Sequence, residues 1–153
     1  MANVNHSALS DPYLHEPKGA STAAAGDVYV ADGAGSGTWE DHRRSVFNIH
    51  IHDISVVSSI YLPMPFGGTV SRVTSCIEGA INGSDLVLTL KNSSAATMGT
   101  VTVTQAGSAA GDIDFTNPTT NNTVSDNDYI LIEGNGGPSS HVDCILSIVV
   151  EHT

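Results

Sequence analysis

Residues 142–150 read VDCILSIVV, the most apolar run of the chain. Val142, Cys144, Leu146, Ile148 and Val150 fall at every second position, the period of a strand that buries one face. Working back from this run, Gly134-Asn135-Gly136-Gly137-Pro138 is a turn, and residues 129–132 (YILI) form the strand that enters it. Residues 100–104 (TVTVT) keep a clean two-residue period, and 86–90 (LVLTL) follow the Asn82-Gly83 turn signal. Residues 68–78 (GTVSRVTSCIE) form a strand, and 55–62 (SVVSSIYL) form one expected to stop at Pro63 and Pro65. In residues 45–51 (SVFNIHI) the alternation continues, with Val46, Asn48, His50 and His52 on one face and Phe47, Ile49 and Ile51 on the other. Residues 107–122 read as a long polar connection anchored by Ile113 and Phe115. No amphipathic helix of ordinary length appears. The expectation is an all-β knob over residues 45–153, an antiparallel β-sandwich of jelly-roll type.

Ahead of the knob the composition changes. Residues 14–39 (LHEPKGASTAAAGDVYVADGAGSGTW) are too rich in Gly, Ala and polar residues to build a core, yet they hold the only Trp of the chain. Pro12 and Pro17 keep the residues before them extended. Val28, Tyr29 and Val30 form a short strand, and a glycine loop seats Trp39 behind it. A segment with anchors and no interior of its own packs on something else. Residues 1–44 are therefore expected to be an extended N-terminal docking arm, with Leu14, His15, Pro17, Val28, Tyr29, Val30 and Trp39 as its contact residues.

Composition narrows the partners. The formal net charge is -11, and the five Lys and Arg residues leave little with which to bind phosphate, so nucleic acid is not an expected partner. No apolar run approaches membrane-spanning length, and the N-terminus lacks a basic-then-apolar leader pattern; neither a membrane nor standard export is expected. Cys76 and Cys144 are too few for a disulfide scaffold, and the alternation around Cys144 makes it a core thiol.

Several patterns resemble chemistry without completing it. Gly33, Gly35 and Gly37 suggest a nucleotide-binding turn, but Thr38 stands where the third glycine would be and no helix follows. Asp112, Asp114 and Asp126-Asn127-Asp128 offer oxygen ligands without the spacing of a calcium loop. His50 and His52 share a strand face and are weak candidates for a transition-metal pair; the commoner reading is two exposed histidines. No nucleophile elbow, zinc-protease motif or Cys–His set is present, so no catalytic residue and no cofactor is expected.

Residues 15–19 (HEPKG) and 28–39 (VYVADGAGSGTW) together resemble the N-terminal segment of small tailed-bacteriophage virion proteins. Residues 68–90 (GTVSRVTSCIEGAINGSDLVLTL), 106–114 (AGSAAGDID) and 121–128 (NNTVSDND) are similar to β-domains of capsid decoration (cement) proteins, head fibres and tail fibres. The resemblance implies a homotrimer on the outer surface of the capsid, made in the host cytoplasm, whose arm grips the major capsid protein. It also leaves open a short head or tail fibre that attaches to host-surface glycans. The absence of a heptad or repeat for a stalk favours decoration. The uncharged, proline-free TVTVT strand, whose edges need cover from the fold or from a neighbouring subunit, also points to an oligomer. Light scattering on a size-exclusion column, at micromolar protein, should return three times the 15.8 kDa chain mass; a monomer would remove the trimer.

Overall fold

The computed structural model describes residues 23–24, 26–34, 37–40 and 43–152. They divide into two compact units, one ending at Arg43 and one beginning at Arg44. In the first, strands β1 (Val28–Ala31) and β2 (Gly37–Glu40) pair antiparallel as a hairpin. The glycine-rich stretch is thus the loop of a hairpin, with Gly33 at φ 76°. Tyr29 lies opposite Trp39 in the register, and their rings meet edge to face with centroids 5.4 Å apart. Val28–Val30, read from sequence as a short strand, has one edge taken by β2.

The second unit contains β3 (Arg44–Ile51), β4 (Ser58–Met64), β5 (Gly68–Ile77), β6 (Leu86–Lys91), β7 (Thr97–Val103), β8 (Ile113–Thr116), β9 (Thr123–Val124), β10 (Asp128–Gly134) and β11 (Cys144–His152). One sheet has the order β3-β11-β5-β8, with β9 on the same edge of β5, and the other has the order β4-β10-β6-β7. All these pairs are antiparallel. Except at the β6–β7 hairpin and the β8/β9 position, the chain switches sheets at every step, which is the connectivity of a jelly roll.

β11 pairs on both sides, with β3 and with β5, and its Cys144, Leu146, Ile148 and Val150 are fully buried. They face Leu86, Leu88 and Leu90 of β6, Val101 and Val103 of β7 and Ile130 and Ile132 of β10 across one continuous core. Two bulges keep that core apolar where the sequence breaks its period. Val70 and Val73 lie three apart, yet both are buried, because the β5–β11 register shifts beside them. Met98 and Val101 repeat the arrangement where the β6–β7 register shifts.

Two expectations from the sequence are corrected. β4 runs through Pro63 to Met64, because β4 is an edge strand and the missing N–H of a proline is tolerated there. Residues 107–122 contain β8 and are not an unstructured connection; Ile113 and Phe115 are not anchors but point outward, 63% and 54% exposed, with the Arg72 guanidinium 4.1 Å from the Phe115 ring centroid. β7 is also an edge, and it is partly covered from within: Asn121 Nδ2 donates to the Thr97 carbonyl at 3.0 Å. A Cβ at Gly99 would stand 3.2 Å from Thr116 and 3.4 Å from Pro118.

Leu146→Ala should lower unfolding free energy by about 2–5 kcal/mol, the usual cost of emptying a buried leucine site. Gly68→Ala should also destabilise, since the new Cβ would lie 2.5 Å from the Glu151 carbonyl oxygen. Urea denaturation followed by circular dichroism measures both.

Candidate functional site

The antiparallel pairing of β3 with β11 sets Ile51 opposite Cys144. The residues just past the end of β3 therefore meet those just before the start of β11. His50 projects from the outer side of β3 and His52 directly follows its end, and His141 and Asp143 have the same two-residue spacing ahead of Cys144. The result is a cluster of three imidazoles around two carboxylates at one end of the five-stranded sheet.

Asp143 is at its centre. One of its oxygens, Oδ2, lies 3.1 Å from His52 Nδ1 and 3.0 Å from His50 Nε2. Its other oxygen, Oδ1, accepts the Asp53 backbone N–H at 3.2 Å and lies 3.6 Å from His141 Nε2. Asp53 adopts a left-handed backbone, φ 65°, which Asp tolerates better than most residues. Its Oδ1 accepts the Ser55 N–H at 3.0 Å and the Ser55 hydroxyl, and its Oδ2 lies 3.2 Å from His141 Nδ1. The His52 and His141 rings stand edge to face, centroids 4.9 Å apart.

The two carboxylates are mostly shielded, 19% exposed for Asp143 and 21% for Asp53, whereas the imidazoles project into solvent. The bond from His52, with that from the Asp53 N–H, holds the Asp143 carboxyl below its ordinary range. For Asp53 the Ser55 hydroxyl is the main cause of a shift in the same direction. The backbone is fastened here too: Ile54 N–H donates to the Val142 carbonyl at 3.0 Å, and Glu78 N–H to the Asp143 carbonyl at 2.9 Å.

Of the sequence candidates, His50 and His52 belong to this cluster. Val28, Tyr29, Val30 and Trp39 are in the β1–β2 hairpin, and Leu14, His15 and Pro17 lie outside the described residues. His141, Asp143 and Asp53 were not singled out from the sequence. The only signal for them was the shared spacing of His50-x-His52 and His141-x-Asp143, which means little until the two strands are known to be neighbours. The acidic loop residues are engaged separately: Asp112 Oδ2 accepts the Ala109 N–H, and Asp128 Oδ2 accepts the Ser93 hydroxyl. Among the described residues, the one group of three potential metal ligands within mutual reach is His52, His141 and Asp143.

Cys144 faces the core, where burial pushes its thiol up to about 11, while Cys76 is partly exposed on the other side of the sheet; both are free thiols. Iodoacetamide applied to the native protein near pH 8 should modify Cys76 and spare Cys144 until the protein is unfolded, as read by peptide mass spectrometry.

No family model and no curated protein matches this sequence. Among solved structures, the chain is similar in fold to a chain in the "Cyanophage Pam1 capsid asymmetric unit", with a TM-score of 0.50 and 15% identity over 100% of both chains. A family 6 carbohydrate-binding module aligns over 73% of this chain and 84% of its own, with 12% identity and a TM-score of 0.44. CsCBM6-3 from Clostridium stercorarium, in complex with cellobiose, aligns over 85% of each chain with 12% identity and a TM-score of 0.42. At these identities the shared property is the fold.

Proposed function

We propose that this chain is a non-enzymatic structural protein of a phage virion, a decoration (cement) protein that trimerises on the outer head surface and stabilises the shell through arm contacts with the major capsid protein. The observation that carries this reading is the likeness in fold, over the full length of both chains, to a component of a cyanophage capsid asymmetric unit.

Two surface features support it. Val46, Ile113, Phe115 and Ile145 stand exposed on the outer face of the five-stranded sheet, apolar surface of the kind that subunit contacts cover. In the arm, β1 pairs only with β2 among the described residues, so its other edge can accept a strand from a partner, with main-chain bonds supplying affinity. Three arms on one trimer would raise effective concentration at the shell. The second reading is a head or tail fibre that attaches to host glycans. It is favoured by Tyr61 and Tyr129, which pack edge to face at 5.2 Å on the outer side of the four-stranded sheet with Tyr61 exposed.

Expanded empty heads of the parent phage should take up the full chain at fixed stoichiometry and become harder to disrupt by heat. A chain lacking residues 1–40 should keep its circular dichroism spectrum yet fail to bind. If the shortened chain instead binds host cells or glycans while the full chain ignores heads, the fibre reading replaces this one.

A further inference from the structure

We infer that His52, His141 and Asp143 form a binding site for a late first-row divalent metal ion, Zn²⁺ foremost, with Asp53 as the group that orients His141. Each of the three offers a ligand atom, and all lie within 4.8 Å of one another. An ion held at about 2.1 Å in tetrahedral geometry needs its ligand atoms about 3.4 Å apart. His52 Nδ1 lies 3.1 Å from Asp143 Oδ2 and His141 Nε2 lies 3.6 Å from Asp143 Oδ1, so each imidazole already stands near one oxygen of the carboxylate at about that spacing.

The surrounding contacts match those of metal-binding histidines. A ligating imidazole usually donates its second N–H to a carboxylate or carbonyl, which fixes its tautomer and aims the free nitrogen at the ion. Asp53 is placed to do this for His141: its Oδ2 lies 3.2 Å from Nδ1, while Nε2 lies 3.6 Å from Asp143. Asp53 is itself held by both Ser55 donors. At His52, the ion would replace the proton shared between Nδ1 and Asp143. His50 Nε2, 3.0 Å from the same carboxylate, is placed to move in as a fourth ligand. Two imidazoles and one carboxylate suit Zn²⁺ and its neighbours better than Ca²⁺ or Mg²⁺, which prefer all-oxygen sites.

The ligands come from the residue after β3 and the residues before β11, so an ion would tie together two chain segments about ninety positions apart. It would do so beside strands that pair along their whole length.

The test is titration of the untagged full-length protein with ZnCl₂ in competition with a chromophoric chelator, and with Co²⁺ as a visible-absorption probe. One ion per chain should bind, with d–d bands of tetrahedral intensity for Co²⁺ and a raised melting temperature. His141→Ala and Asp143→Asn should each abolish the event, and Asp53→Asn should weaken it about 10–100-fold. His6→Ala/His15→Ala should leave it unchanged. His141 is exposed, and circular dichroism on each variant keeps a folding defect apart from a lost ligand. Absence of saturable binding at one ion per chain would overturn the site. So would binding that survives His141→Ala and Asp143→Asn, or that disappears with His6 and His15.

Discussion

The fold depends on β11 being buried on one face and hydrogen-bonded on both edges. It lies between β3 and β5, and its inward side chains meet the opposing sheet with none of their surface left in water. Hydrophobic burial is proportional to the area removed from solvent, so a strand in this position is worth more than any at an edge. Its register also has no freedom, because a slip of one residue would turn Ile145, Ser147 and Val149 inward and expose Leu146 and Ile148. With the register set, the end of β3 and the lead-in to β11 must adjoin, and the histidine–aspartate cluster follows from that.

The bulges show how this constraint spreads. β5 must keep Val70 and Val73 inside although strict alternation cannot do so, and a register shift against β11 resolves the conflict. On β7 the corresponding shift buries Met98, and the added twist suits an edge strand that must not pair with strangers. Outside the core, the same sheet faces solvent with apolar side chains along its outer face, and one of them, Ile145, lies directly opposite His50 of the imidazole cluster.

The two units differ in what holds each together. Among the described residues the first unit has a hairpin with the Tyr29–Trp39 aromatic contact, whereas the second has a core of some twenty buried side chains. A hairpin of four-residue strands has little stability of its own.

By itself the sequence determined the strand class and most strand positions, because a two-residue period is a local property written in side-chain order. It placed His50 and His52 on an outer face and Cys144 on an inner one for the same reason. It misplaced the end of β4 and the direction of Ile113 and Phe115, because proline tolerance and the choice of face depend on which strand is an edge and which neighbour lies opposite. Only the tertiary structure could bring His141, Asp143 and Asp53 to His52. Their proximity comes from hydrogen bonding between strands far apart in the chain, and no local pattern encodes which strand a given strand will pair with.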